Sequence, residues 1–213
     1  MIRPFVYLLS ASVLLGSLPA GAADLSENGY PAPVQRWSGC HVSLQGGYDT
    51  IDTKYVGDIV PAIPNGQRAT EDGGFGIGGG GGCDWQSGPW VFGLLGDGAT
   101  AGSSDYLVES DWFASVRGRI GYAQDRGLIF NVPTLWYLTA GVAWAGLEAE
   151  NNGDQTATGW TVGWGSENAI DNRWSFKTET LYVDYGEETL GVFKIDATAW
   201  VTRIGVTYKL TDW

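Results

Sequence analysis

The sequence predicts an all-β protein, an eight-stranded antiparallel up-and-down β-barrel that crosses a membrane. The stretch "AWVTRIGVTYKL", from Ala199 to Leu210, alternates a bulky apolar face with a face of small or charged residues. That pattern fits a strand between lipid and a polar lumen. After residue 22 no run is long enough for a transmembrane helix, so a membrane-spanning chain has to be a barrel. The 11 Trp and 10 Tyr fit aromatic girdles at two membrane interfaces.

The N-terminus reads as a secretion signal. Basic Arg3 precedes an apolar run, and small residues end at Ala22, as at a signal-peptidase site; cleavage after Ala23 fits nearly as well. Next comes a stretch without periodicity that contains Pro31 and Pro33. The predicted division is 1–22 signal peptide, 23–36 flexible periplasmic leader and 37–213 outer-membrane β-barrel.

Eight alternating segments follow in chain order. They lie at about Gly39–Tyr48, Phe75–Gln86, Trp90–Ala99, Trp112–Ala123, Leu135–Ala145, Trp160–Ala169, Trp174–Tyr185 and Ala199–Leu210. Outward residues include Val42 and Leu44; Trp90 and Phe92; Val116 and Tyr122; Trp136 and Leu138; Trp160 and Trp164; Trp174 and Tyr182; Trp200 and Ile204. Inward residues include His41 and Gln45; Gly76, Gly78, Gly80 and Gly82; Leu95; Ser115; Tyr137 and Thr139; Thr161; Thr207. On the inner face, glycine leaves room for long lumenal side chains.

The connections alternate in length. Long, acidic loops are expected at about 49–74, 100–111, 146–159 and 184–196. Short turns are expected at Ser87-Gly88-Pro89 and Ile170–Arg173, with a longer one at 124–134. This asymmetry is typical of barrels with extracellular loops and periplasmic turns, and an even strand number puts both termini in the periplasm.

Several runs carry a family resemblance. They are "WVFGLLGDG" (90–98), "ASVRGRIGYAQDR" (114–126), "TAGVAWA" (139–145), "TGWTVGWGSE" (158–167), "FKTETLYVDYG" (176–186) and "VTRIGVTYKL" (201–210). The chain resembles the small outer-membrane β-barrel surface proteins of alphaproteobacteria, which belong to the OmpA-type, eight-stranded porin-family barrels. The resemblance implies an outer-membrane location and no single activity. It departs from the family pattern at Leu95, where an acid is usual.

The end of the chain also resembles the family's terminal assembly signal. The residues in question are Arg203, Gly205, Tyr208 and Leu210. This likeness implies the barrel assembly machinery as a partner. The family form usually ends at the last aromatic residue, whereas here Thr211, Asp212 and Trp213 follow.

A set of charged residues is expected inside the barrel. It comprises Asp97, Arg117, Arg119, Glu167, Lys177, Glu179 and Arg203. One interpretation is the selectivity filter of a pore; the other is a plug of paired charges, because an eight-stranded barrel is just wide enough to be filled by side chains. Three acids against four bases make pairing nearly complete, and unpaired buried charge is costly, so the plug is favoured. The missing acid at Leu95 is expected to leave a modest positive excess.

The chain is acidic, with 24 acids against 12 bases, and the excess falls in the predicted loops. One interpretation is that these loops bind divalent cations shared with lipopolysaccharide, or set a cation-favouring surface potential; the other, which is favoured, is ordinary solvated loop surface. No metal ligands are assigned, because no calcium-loop pattern occurs. Outer-membrane lipid and lipopolysaccharide are the expected surroundings of the barrel. Nucleic acid binding needs a basic protein surface, so nucleic acid is not expected as a partner.

Cys40 and Cys83 lie at the same end of neighbouring strands, and in an oxidising compartment they are expected to form a disulfide.

These observations favour a structural and surface role in the cell envelope. The alternatives are a small-solute diffusion porin and a loop-mediated adhesin or host-contact protein. An enzyme is not expected, because the single histidine, His41, has no catalytic motif around it. No cofactor is expected.

Overall fold

A computed structural model describes residues 37–55, 68–100, 109–127, 131–149, 153–190 and 193–212. The predicted signal peptide and leader, over 1–36, lie outside the described residues. The strands are β1 (Gly39–Tyr55), β2 (Arg68–Ser87), β3 (Trp90–Thr100), β4 (Glu109–Gln124), β5 (Thr134–Ala149), β6 (Gly153–Ala169), β7 (Trp174–Leu190) and β8 (Phe193–Lys209). Each strand pairs antiparallel with its neighbours in sequence, and β8 pairs with β1 to close the barrel. The predicted fold class is confirmed.

The two ends of the barrel differ. We call the end that carries the connections after β2, β4 and β6 the turn end, and the opposite end the hairpin end. At the turn end, Gly88 has φ of 59° and occupies the left-handed region that glycine adopts without strain. The Asp171 carboxylate accepts hydrogen bonds from the backbone N–H groups of Arg173 and Trp174, both at 2.7 Å. These contacts close two tight turns where short turns were predicted.

The predicted loop bounds at the hairpin end are wrong. Strand pairing continues through much of 49–74, 100–111, 146–159 and 184–196, for example at Ile51 with Asp72 and at Glu187 with Asp196. The last strand likewise starts earlier than Ala199 and ends at Lys209. Backbone pairing needs no apolar side chain, so the strands extend past the point where apolar alternation fades.

Two aromatic girdles surround the barrel. On β5, Trp136 and Trp144 are eight residues apart, and on β7 so are Trp174 and Tyr182. Eight residues span about 26 Å along a strand, or roughly 20 Å after the usual tilt, which is close to the apolar band of outer-membrane barrels. Rings of neighbouring strands pack together at both levels, including Trp174 with Tyr208 (centroids 4.8 Å apart) and Trp160 with Tyr182 (5.6 Å).

The lumen has three layers. At the turn end lies an apolar cluster of Trp37, Val91, Leu135, Tyr137 and Ala169. At the hairpin end lies a second cluster of Phe113, Ala143, Leu181, Val183, Ala199 and Val201. The charged residues lie between them. The expectation of an inner face made mainly of glycine and polar residues is therefore incomplete, because apolar side chains fill the lumen on both sides of the charges.

Cys40 and Cys83 are register partners on β1 and β2 and form a disulfide, with Cα atoms 4.0 Å apart. The predicted disulfide is confirmed.

In the described ranges, no helix has the length and apolar character needed to cross a membrane.

Candidate functional site

All seven predicted lumenal charges meet in one layer of the barrel. The structure adds Asp84 to them, and we call these eight residues the charged layer. Its members are Asp84, Asp97, Arg117, Arg119, Glu167, Lys177, Glu179 and Arg203. Arg117 is the most buried of its four cations, at 1% exposure. Buried charge of this density has to be paired, and the contacts show how.

One half of the layer is built around Arg117 on β4. Its Nη2 lies 2.5 Å from Asp97 Oδ1, and its Nη1 lies 3.0 Å from Glu179 Oε1. Arg203 donates to the second oxygen of Asp97, and Lys177 Nζ lies 3.6 Å from Glu179 Oε2. These pairs join β3, β4, β7 and β8 across the lumen.

The other half is built around Arg119. Its Nε donates to Asp84 Oδ1 at 2.7 Å, a second N–H group donates to the other Asp84 oxygen, and Nη1 donates to Glu167 Oε2 at 3.2 Å. His41 Nε2 lies 3.1 Å from Asp84 Oδ2. Ser175 donates to the other oxygen of Glu167. This half joins β1, β2, β4, β6 and β7.

Asp84 corrects the predicted charge count. With it, four acids face four bases in the layer, so the positive excess expected from Leu95 is absent from these eight residues. The signal for Asp84 was present, since it continues the even-numbered inner face of Gly76 to Gly82 on the same strand. Its side chain is 1% exposed.

Neutral groups complete the layer. Ser115 donates to Asp97 Oδ1 at 2.7 Å and accepts from Arg117 Nε at 2.9 Å. Tyr137 donates to Glu179 Oε1 at 3.1 Å. The guanidinium of Arg203 lies 4.6 Å from the centre of the Phe113 ring, a cation–π distance. Because each carboxylate accepts from Arg, Ser or Tyr or lies against Lys, the arrangement crosslinks strands rather than presenting a free acid or base.

The residues of the predicted assembly signal lie at several levels of β8. Arg203 belongs to the charged layer and Gly205 follows on the inner face. Tyr208 belongs to the aromatic girdle at the turn end, where its ring packs against Trp174, and Leu210 lies just beyond the strand.

The acids assigned to the loops are only partly described. Three of them, Asp58, Asp105 and Glu150, lie outside the described residues. In the described part of the chain, no group of three His, Cys, Asp or Glu side chains is placed to hold a metal ion.

Comparison with known proteins identifies the family of the chain. Residues 9–211 match the model of the outer membrane protein beta-barrel domain. The chain belongs to this family. It is therefore an outer-membrane β-barrel protein, in agreement with the girdles and the closed barrel.

The relatives of this outer-membrane barrel include alphaproteobacterial proteins. The 31 kDa outer-membrane immunogenic protein of Brucella melitensis is 27% identical over 241 residues, covering 95% of this chain and 98% of the relative. The 22 kDa outer membrane protein of Rhizobium leguminosarum is 33% identical over 111 residues, covering 49% of each. Similar solved structures include Neisserial surface protein A (14% identity, TM-score 0.46, 79% of this chain and 97% of that one). Another is OprG from Pseudomonas aeruginosa (16% identity, TM-score 0.44, 84% and 100%).

Proposed function

We propose that this barrel is a structural and surface component of the outer membrane whose lumen is closed to solutes. The observation that carries the proposal is the charged layer, in which Arg117 and Arg119 each bind two carboxylates from other strands. An eight-stranded barrel has an interior about the size of its own side chains. Paired charges in the middle and apolar clusters on both sides therefore leave little continuous water-filled space.

The proposed orientation puts the hairpin end outside the cell and both termini in the periplasm. Short turns on the periplasmic side are usual for such barrels, and the turn end has them. The Brucella relative is named an immunogenic protein, which agrees with a surface-exposed end. In this orientation the girdles contact lipid and lipopolysaccharide, and acids of the hairpin end, such as Asp52 and Asp196, share divalent cations with the lipopolysaccharide. The terminal assembly signal, from Arg203 to Leu210, is recognised by the barrel assembly machinery.

The test is single-channel conductance of refolded protein without residues 1–22 in a planar bilayer. We expect the wild type to be silent. The Arg117→Ala variant removes the central cation of one half of the layer and opens space, so we expect conductance steps. Arg126→Ala is the matched control, because Arg126 is exposed at the turn end, and it should stay silent. Steady steps from the wild type would overturn the proposal and favour a small-solute diffusion porin.

A further inference from the structure

The lumen contains a cavity between the charged layer and the hairpin end. Its volume is about 60 Å³, several times the roughly 10–15 Å³ that one water needs. The walls are mainly apolar and include Ile51, Phe113, Tyr185 and Val201. Gln45 and Arg203 lie at the side of the charged layer and also line it. The cavity is thus a mainly apolar space with Gln45 and Arg203 on the side of the charged layer and with Asp49 and Thr100 also in its wall.

Gln45 is unusual among the polar residues of the lumen. It is 3% exposed, yet neither its amide nitrogen nor its amide oxygen has a hydrogen-bond partner in the described part of the chain. A buried polar group without a partner is costly, and most buried polar groups are paired. An amide with both donor and acceptor unused, at the edge of a cavity, is suited to a ligand that supplies both.

Arg203 and the surrounding charges limit the ligand's charge. The guanidinium of Arg203 is held by Asp97 and lies on the Phe113 ring, so its charge is already balanced. Asp49, an acid, is also part of the cavity wall. An anionic ligand would gain little from Arg203 and would bring a second negative charge close to the Asp49 carboxylate, whereas a neutral ligand needs no counter-charge in this mainly apolar space.

The geometry points to a binding site for a small neutral molecule that carries a primary amide and a short apolar part. The amide pairs with both polar atoms of Gln45, and its alkyl group packs against Phe113, Val201 and Ile51. Charge, size and hydrogen-bonding pattern are all set by residues of the cavity. The site lies on the hairpin side of the charged layer, so it does not depend on whether the lumen conducts.

The probe is propionamide, added to refolded full barrel in lipid nanodiscs. The readouts are the side-chain amide resonances of Gln45 and the methyl resonances of Ala199 and Val201, which also line the cavity, in protein labelled with ¹⁵N and ¹³C. We expect a saturable shift with a dissociation constant in the roughly millimolar range, since so few atoms limit affinity. Propionate, which has the same shape with a negative charge, should bind at least tenfold more weakly.

Two variants locate the site. Gln45→Leu keeps the side-chain size and removes both polar atoms, so it should fold, because replacing unpaired polar groups with apolar ones is close to neutral. In this variant, saturable shifts of the Ala199 and Val201 methyl resonances should be lost. Gln124→Leu, at the turn end of β4, should bind like the wild type.

Three results would overturn the inference: no saturable shift with propionamide, equal shifts with propionate, or unchanged methyl shifts in Gln45→Leu. The first of these results would mean that the Gln45 amide forms hydrogen bonds only with water. If Gln45→Leu fails to fold, the comparison of propionamide with propionate on the wild type still decides. A conducting wild-type barrel would contradict the closed lumen but would leave this binding test readable.

Discussion

Asp84 and Arg119 lie on strands that are not neighbours, and their side chains meet across Gly93. The three residues are in register on β2, β3 and β4. A Cβ atom at Gly93 would overlap Asp84 Oδ1. The absence of a side chain at this position therefore permits an ion pair that crosses an entire strand, and Tyr137 reaches Glu179 over Gly165 in the same way.

We expect Gly93→Ala to destabilise the barrel by about 2–4 kcal/mol, because it combines overpacking with loss of pairing for buried charge. Urea unfolding of the refolded protein in detergent micelles, followed by tryptophan fluorescence, measures the change. Gly96→Ala is the matched control on the same strand; its added Cβ would find Ser115 O at 3.9 Å, an ordinary contact. Equal stability of the two variants would show that Gly93 has no special role.

Glu179→Gln should destabilise more than Tyr137→Phe. Glu179 lies against Arg117 and Lys177 and accepts from Tyr137. Neutralising it leaves buried cations short of a partner, at a cost of about 3–5 kcal/mol. Tyr137→Phe removes one hydrogen bond to a charged group, at about 1.5–3 kcal/mol. The same urea assay ranks the two variants, and a larger effect for Tyr137→Phe would contradict the assignment of Glu179 as the shared anion.

Strand order, faces and the inward direction of the charges could be predicted from sequence because alternation with a period of two is local. The partners of each charge could not. Arg119 pairs with Asp84 two strands away and with Glu167 on β6, and such pairs depend on how the closed barrel sets strands opposite one another. Asp84 could have been assigned to the inner face by the same alternation, but its pairing with Arg119 over Gly93 could not be predicted.

The hairpin end was less predictable for a different reason. Asp184 and Gly186 mark a bulge in β7, where Gly186 has φ of 69° and its N–H donates to Asp184 Oδ1 at 2.9 Å. Glycine and acids in sequence indicate a loop, but here they form a bulge after which pairing resumes. Nor does alternation reveal that Phe113 and Val201 create an apolar layer next to Arg203.

The pKa of Asp171 is lowered by the backbone N–H groups of Arg173 and Trp174 that hydrogen-bond to its carboxylate. Because the pKa of Asp171 is lower in the folded chain than in the unfolded chain, the ionised carboxylate stabilises the fold at pH values above the unfolded pKa of about 3.9. This stabilisation is lost as the pH falls through the pKa of Asp171 in the folded chain. Carboxyl ¹³C titration by NMR should give a midpoint below about 3.9, with Asp171→Asn identifying the resonance. A midpoint at or above that value would contradict the turn geometry.

The Cys40–Cys83 disulfide should stabilise the barrel mainly by lowering the conformational entropy of the unfolded chain. It closes a loop between residues 43 apart in sequence, for which the chain-entropy model gives about 4 kcal/mol. In the folded barrel the same residues are already held by pairing of β1 with β2, so the native state should change little on reduction. We expect the Cys40→Ala/Cys83→Ala double variant to fold into the same barrel and to unfold with about 2–4 kcal/mol less free energy.

The urea assay with and without dithiothreitol separates this effect from the loss of the two side chains. Reductant should lower the stability of the wild type toward that of the double variant and leave the double variant unchanged. Wild type that keeps its full stability after complete reduction would mean that the unfolded chain stays compact in micelles. In that case residual contacts between β1 and β2, rather than the covalent link, would limit the entropy of the unfolded state.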